Sequence, residues 1–229
     1  MSNYQQFNFN QDAAKKADGG GRIDQTGKYA GKISHVEFVT SNSGKKTQGL
    51  EFHFIADNDA TTSFTIWTHQ ADGTPIFGFD KVNALLACAQ IQTLTPTNRT
   101  LEKYSYDAGG KVKQPCTVAP ELDNKPIGLL LQRENYQNQN GEWRYQMNFY
   151  AAFQYGTDFM AAEILDRAIK PLALEKVLNR LINVGDATRK SNNNNRPQHQ
   201  QQNQGYNQPQ QSQGYGNQPQ PHDDDNLPF

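Results

Sequence analysis

Aromatic rings and cationic side chains share the outward faces of the predicted strands. Along TTSFTIWT (61–68) the apolar Phe64 and Ile66 point to one side, which leaves Trp67 on the other. The same alternation leaves five further side chains opposite the large apolar sets of their strands: Lys28, Lys32, His53, Arg144 and Tyr150. Bases stack on aromatic rings, at about 1–3 kcal/mol each, while Lys and Arg neutralise phosphates. The pattern therefore favours an interface for single-stranded nucleic acid.

Two predicted loops add further candidates. The polar turn 41–49, which follows the first strand, contains Lys45 and Lys46. The segment RTLEKYSYDAGGKVK (99–113) interleaves cations with tyrosines, and its two glycines allow it to close over a bound strand. Its candidate contacts are Lys103, Tyr104, Tyr106, Lys111 and Lys113. Two alternatives stay open: the turn lysines serve only solubility, and a C-terminal helix at 172–184 half-buries Trp67.

The sequence contains few signals of catalysis or metal binding. It has neither the phosphate-binding loop G-x-x-x-x-G-K-S/T nor the zinc motif H-E-x-x-H. His35-Val36-Glu37 matches half of the deaminase zinc motif, but Pro115-Cys116 lacks the second cysteine that completes it. Four carboxylates show no spacing that supports a metal nuclease: Glu37, Glu51, Asp57 and Asp59. We therefore expect a non-catalytic protein with no metal and no other cofactor.

The elements that must position these residues follow a simple order. Alternating apolar residues predict strands over 28–40, 50–56 and 61–68, and helical spacing predicts a helix over 79–91. The segment 92–125 is rich in Pro, Gly and Tyr and is predicted to be mostly loop. Strands at 126–136 and 142–153 then form a hairpin around Asn140-Gly141.

Three strands, a helix and two strands is the order of the OB-fold. In this five-stranded barrel the face of strands 2–3 and the loops L12 and L45 bind oligonucleotides or oligosaccharides. We therefore predict a mainly β fold, an OB-fold five-stranded barrel with one internal helix, C-terminal helices and a disordered tail. Other small β-barrels would give a similar order of elements.

Five segments are predicted along the chain. Residues 1–27 form a flexible N-terminal arm, 28–155 form the OB-fold domain, and 156–185 form helices joined at Pro171. An apolar stripe on the last helix is predicted to pack on the barrel, with a contact between two copies of the chain as the alternative. Residues 186–221 form a disordered linker rich in Gln, Asn, Pro and Gly, and 222–229 form an acidic tip.

Charge and composition exclude several classes of protein. The net charge is −1; residues 191–229 carry one cation and three anions, which leaves the rest of the chain at +1. Two cysteines, Cys88 and Cys116, imply no disulfide framework. The N-terminus has no basic start followed by an apolar run, and no segment approaches the ~20 apolar residues of a membrane span. We expect a soluble, cytoplasmic protein.

The tip, HDDDNLPF (222–229), combines charge with a terminal aromatic ring. A partner with a small apolar pocket rimmed by Arg or Lys would bind the ring and the terminal carboxylate together. A tail that served only solubility would gain nothing from that ring. The tip's candidate contacts with partner proteins are Asp223, Asp224, Asp225, Leu227, Pro228 and Phe229.

The tip and the linker resemble the C-terminal region of bacterial single-stranded DNA-binding proteins, which end Asp-Asp-Asp-Ile-Pro-Phe after a Gln/Gly/Pro/Asn-rich linker. Asn226, an insertion, and Leu227 depart from that pattern. The body is more similar to the single-stranded DNA-binding proteins of phages or other mobile elements, which would act in the host cytoplasm.

The resemblance implies sequence-independent binding and protection of single-stranded DNA in replication, recombination and repair. It also implies that the tip recruits replication and repair proteins and competes with DNA for the basic groove. Alternative functions are strand annealing or recombination mediation, RNA binding, a nuclease activity, and a scaffold that uses only the tip.

Overall fold

The computed structural model describes residues 8–11, 21–42, 44–105 and 108–189, and this part of the chain is mainly β. Its strands are β1 (Gly27–Thr40), β2 (Gln48–Ala56), β3 (Thr61–His69), β4 (Thr97–Ser105), β5 (Gly110–Val118), β6 (Lys125–Gln137), β7 (Trp143–Phe153) and β8 (Ala187–Thr188). Its helices are α1 (Gly78–Ala89), α2 (Ala161–Leu165) and α3 (Ala173–Val184), with a single 3-10 turn at Pro120–Leu122. The predicted strands, the helix over 79–91 and the helix after Pro171 are confirmed to within a few residues, whereas only Ala161–Leu165 is helical in the segment before Pro171.

The long strand β1 organises the sheet. It pairs with β2 along one edge, and along the other edge with β6 and then, at Glu37 opposite Val118, with β5. The register shifts between Ile33 and His35, so Ser34 is a bulge. Because side chains alternate across a strand, the bulge resets which residues face outward: His35 and Glu37 do so after it.

The core lies between the inward faces of the strands and helix α1. The Phe64 ring stacks on those of Phe52 and Phe149, with centroids 5.3 and 5.8 Å apart. Helix α1 adds Val82 and Leu85, both buried. A second, smaller cluster joins α3 to the sheet through Leu130, Phe153, Leu174 and Leu181. Burial of these apolar surfaces is the main force that holds the elements together.

The sheet is open between β3 and β7. Within the described ranges the two strands share no ladder, and the stacked rings of Phe64 and Phe149 connect them instead. The structure therefore confirms the mainly β architecture but does not confirm a closed five-stranded barrel.

Residues 21–26, which lie within the predicted arm, pack along this open side. The backbone N–H of Ile23 donates to the carbonyl of Thr61 at 2.9 Å, and the Ile23 side chain is buried. The Arg22 guanidinium lies 5.5 Å from the centroid of the Tyr145 ring on β7. This segment thus reaches from β3 to β7.

The prediction of a loop over 92–125 is wrong, because much of it forms the hairpin β4–β5. The two strands pair with each other at nine positions, whereas β5 meets β1 at Val118 alone. Of the described residues in the hairpin, Val118 is the one buried side chain. The hairpin therefore lacks the alternating apolar pattern of a half-buried strand, and Pro115 removes a further strand signal.

The C-terminal end of the described chain also carries sheet structure. Strand β8 pairs in parallel with Glu134 and Asn135 of β6, so residues 187–188 of the predicted linker extend the sheet. The remainder of the linker and the whole tip lie outside the described residues.

Replacing Ile23 by Ala should lower the free energy of unfolding by about 2–5 kcal/mol, because it removes a buried side chain from the core. Urea denaturation followed by circular dichroism measures the loss. Phe9→Ala is the control, since Phe9 is 83% exposed, and we expect almost no change there. A normal midpoint for Ile23→Ala would show that the segment does not contribute to the core.

Candidate nucleic-acid interface

The outward side chains of β1, β2 and β3 form one surface, which we call the outer face. The strand register aligns them in three rows: Val39, Gly49 and Trp67; Glu37, Glu51 and Thr65; and His35, His53 and Ser63. Trp67 therefore lies at one end of the outer face, and the two histidines lie two rows further along it.

Trp67 presents an accessible ring. The residue is 38% exposed, and its ring lies against Gly49, where an added Cβ would come within 2.8 Å of the ring carbon Cε3. Glycine at 49 therefore allows the ring to lie close to the sheet. Helix α3 packs instead on Leu130 and Phe153, so it is not the element that partly covers Trp67.

The predicted turn lysines lie beside the same end of the outer face. Thr40, Gln48 and His69 form the next row after Trp67, and the turn that holds Lys45 and Lys46 begins there. Both lysines are exposed. Lys45 also lines an open concavity of about 590 Å³ together with residues 70–72. The turn thus places two cations at the same end of the outer face as the exposed indole ring.

A cluster of ionisable groups, His35, Glu37, His53 and Lys103, occupies the middle of the outer face; we call it the central cluster. Glu37 is only 3% exposed, and its Oε2 accepts a hydrogen bond from the Lys103 ammonium at 2.6 Å. Its Oε1 lies 3.6 Å from Nε2 of both His35 and His53. The two imidazole rings stack, with centroids 4.1 Å apart and planes within 10°.

The surroundings of the central cluster shift its pKa values. Burial alone would raise the pKa of Glu37, but the hydrogen bond from Lys103 and the Lys103 charge hold it below its ordinary value. Burial lowers the pKa of His53, and burial with the proximity of His53 lowers that of His35. The centre therefore contains neutral imidazoles and an ion pair at neutral pH.

The residues predicted in segment 99–113 divide between the two faces of the β4–β5 hairpin. Lys103 points towards Glu37. Tyr104 is the next residue along β4, so it points to the other face of the hairpin, together with its register partner Lys111. Lys113 shares that face with Tyr104. Tyr106 lies outside the described residues. The hairpin thus contributes Lys103 to the outer face. Its other face presents an exposed tyrosine, Tyr104, with Lys111 and Lys113.

Three other predicted contacts have partners away from the outer face. The Lys28 ammonium pairs with Asp158 at 2.8 Å. Tyr150 packs against the cluster that joins α3 to the sheet, so this helix covers the position that was predicted to face a ligand. Arg144 pairs with Glu142 at 2.8 Å, next to the β6–β7 turn.

Lys32 remains exposed on β1. It borders a concavity of about 400 Å³ that also contains Asp57, Asp59 and Tyr155. The structure therefore brings together Trp67, His53, Lys103 and the turn lysines, and leaves Lys32 at the margin.

Two exposed candidates were missed by sequence reasoning. Strand period predicts an inward Trp143, because it shares the parity of Met147 and Phe149, but it is the first residue of β7 and is 62% exposed. Its position directly after the turn was the available signal. Arg22 borders a cavity of about 500 Å³ over His35 and His53, and no strand pattern in DGGGRIDQ indicated it.

No known protein family matches the chain, and no curated protein has a similar sequence. Within the described ranges, no helix has the length and apolar character needed to cross a membrane.

Replacing Lys103 by Met should lower the free energy of unfolding by about 1–3 kcal/mol, because it leaves the buried Glu37 carboxylate without its cation. The double variant Glu37→Gln/Lys103→Met should recover part of that loss. Lys113→Met, on the opposite face of the hairpin, is the matched control and should change stability by less than about 0.5 kcal/mol. Equal stabilities of the two Lys→Met variants in urea denaturation would contradict the role assigned to the pair.

Proposed function

We propose that this protein binds single-stranded DNA independently of sequence and does not catalyse a reaction. The observation that carries the proposal is the exposed ring of Trp67 on a β-sheet face, at the same end of that face as the turn that holds the exposed Lys45 and Lys46. A ring that stacks on bases next to amines that meet phosphates binds any single strand, because every base has a π-face.

The strand order supports a finer proposal about the fold. We propose that β1, β2, β3, β6 and β7, with α1 between β3 and β6, correspond to a partly open OB-fold into which the β4–β5 hairpin is inserted. An OB-fold binds oligonucleotides on the face of strands 2–3 and through loops L12 and L45. In this protein the face of strands 2–3 corresponds to the outer face, L12 to the turn that contains Lys45 and Lys46, and L45 to the β6–β7 turn beside Trp143.

The charge distribution predicts how binding depends on salt. Residues 1–190 sum to only +1, so the few cations at the outer face must contact the phosphates. Each phosphate neutralised on a single strand adds about −0.7 to the slope of log affinity against log salt. With Lys45 and Lys46 as contacts, and Lys103 held by Glu37, we expect a shallow slope and a large contribution from stacking.

The tip supplies the second half of the proposal. Because it resembles that of bacterial single-stranded DNA-binding proteins, we propose that Phe229, Pro228 and the three aspartates dock replication and repair proteins. The same aspartates would compete with DNA phosphates for the cations of the outer face. Strand annealing, RNA binding, nuclease activity and a scaffold role are the alternatives.

The two tryptophans allow the contact to be located. In Trp143→Phe the only indole is Trp67, and we expect its fluorescence to be quenched when oligo-dT is added, because bases stack on it. Trp67→Ala should lose about 1–3 kcal/mol of binding free energy, whereas Trp67→Phe, which keeps a ring, should lose less.

The same titration separates the alternatives. Tighter binding of an RNA oligomer, cleavage of the oligonucleotide with Mg²⁺, or accelerated pairing of complementary strands would each replace the proposed function with that alternative. Unchanged Trp67 fluorescence together with no binding of oligo-dT at low salt, even without residues 191–229, would leave the scaffold role.

Removing residues 191–229 should increase affinity for oligo-dT, since it removes the aspartates that compete with phosphate. The full-length variant Asp223→Asn/Asp224→Asn/Asp225→Asn is the matched control and should show the same increase without a change in length. Anisotropy of a labelled oligonucleotide measures both affinities. Equal affinities for wild type and both variants would contradict the competition.

A further inference from the structure

The central cluster contains three metal-ligand side chains on neighbouring strands. One ligand atom from each of His35, Glu37 and His53 lies within 4.8 Å of the other two, and Oε1 of Glu37 is 3.6 Å from Nε2 of each histidine. In a tetrahedral zinc site with bonds near 2.0–2.1 Å, ligand atoms lie about 3.4 Å apart. The two N···O distances are therefore already close to the spacing that an ion requires.

The hydrogen bonds of Ser34 fix the state of His35. The Ser34 hydroxyl donates its one proton to the carbonyl of His53 at 3.2 Å, so its oxygen must accept from Nδ1 of His35, 3.1 Å away. A neutral His35 with its proton on Nδ1 carries a lone pair on Nε2. That lone pair faces Oε1 of Glu37, so two acceptors face each other without a proton between them.

Burial makes this arrangement unfavourable unless a cation completes it. Among the described residues, Oε1 of Glu37 and Nε2 of His53 are buried side-chain atoms that have no hydrogen-bond partner. A buried carboxylate oxygen or imidazole nitrogen without a partner costs about 1–3 kcal/mol. The two unpartnered atoms point into the same space, and Lys103 already occupies the other carboxylate oxygen.

We propose that Nε2 of His35, Oε1 of Glu37 and Nε2 of His53 bind one divalent transition-metal ion of the zinc class. Two imidazoles with one carboxylate suit Zn²⁺ and its neighbours, whereas Mg²⁺ and Ca²⁺ prefer oxygen ligands alone. The Ser34 hydroxyl, which accepts from Nδ1 of His35, is the outer-shell partner that orients such a ligand. Glu51, whose Oε1 lies 3.8 Å from Nε2 of His53, or water supplies the fourth ligand.

Metal binding would change the geometry of the two rings. Imidazole lone pairs lie in the ring plane, and the planes of His35 and His53 are now parallel within 10°. For both nitrogens to point at one ion, the rings must tilt apart and lose their stack. The ion would then link β1 to β2 in the middle of the outer face, independently of whether that face binds DNA.

The test is a titration of full-length, chelator-treated protein with Zn²⁺ in competition with a chromophoric chelator, and a parallel titration with Co²⁺. We expect one ion per chain, and visible d–d bands of four-coordinate Co²⁺. His35→Gln and His53→Gln should each weaken Zn²⁺ binding by about 100-fold or more, since loss of an outer-shell partner alone costs about 10–100-fold. Zn²⁺ should also raise the Tm of the wild type but not of these variants.

Two controls separate this site from other histidines. His69→Gln removes a histidine on β3 that is not in the cluster, and His199→Gln/His222→Gln removes both histidines beyond residue 190; both should bind Zn²⁺ like the wild type. The proposal is overturned if the wild type binds no Zn²⁺. It is also overturned if His199→Gln/His222→Gln abolishes binding while folded His35→Gln/His53→Gln retains it.

Discussion

The buried carboxylate of Glu37 is the constraint around which the outer face is arranged. It lies on the strand that pairs with β2, β5 and β6, and a charge placed there is costly unless it is paired and hydrogen-bonded. Lys103 satisfies one oxygen, which ties the β4–β5 hairpin to the sheet although that hairpin has almost no apolar core of its own. The bulge at Ser34 turns both His35 and Glu37 onto the outward face, where His35 lies opposite His53.

The outer face therefore has two regions of different character. Around Trp67 the surface is aromatic, uncharged and bordered by exposed lysines, which suits stacking of bases with phosphates at the edge. Around Glu37 the surface is ionic and partly buried, and Oε1 of Glu37 and Nε2 of His53 have no hydrogen-bond partner there. The first region supports the proposed binding of single-stranded DNA, and the second supports the proposed metal site.

The sequence predicted those features that depend on local periodicity. Strands β1, β2, β3, β6 and β7 alternate apolar and polar residues, and Trp67 was placed outward because Phe64 and Ile66 fixed the inward side. Features that depend on tertiary contacts were not predictable in this way. The β4–β5 hairpin has no apolar alternation. The burial of Ile23 depends on a tertiary contact, in which its backbone N–H donates to the carbonyl of Thr61 at the start of β3.

The candidate site shows the same division between local and tertiary information. The alternation along β2 predicts outward positions for His53 and Glu51. The contact between His53 and His35 depends instead on the bulge at Ser34. Tyr150 has the outward parity expected of it, yet the second cluster around α3 covers that position. Trp143 has inward parity but lies at the end of its strand, where parity no longer determines burial.

The most direct test of single-strand binding on the outer face is photocross-linking of an oligo-dT that carries 5-iododeoxyuridine, followed by peptide sequencing. If bases stack on the outer face, the cross-linked peptide will contain Trp67, and Trp67→Ala will lose the cross-link while remaining folded. Cross-links confined to peptides of α3 or the C-terminal region, with none at Trp67, would contradict binding on this face.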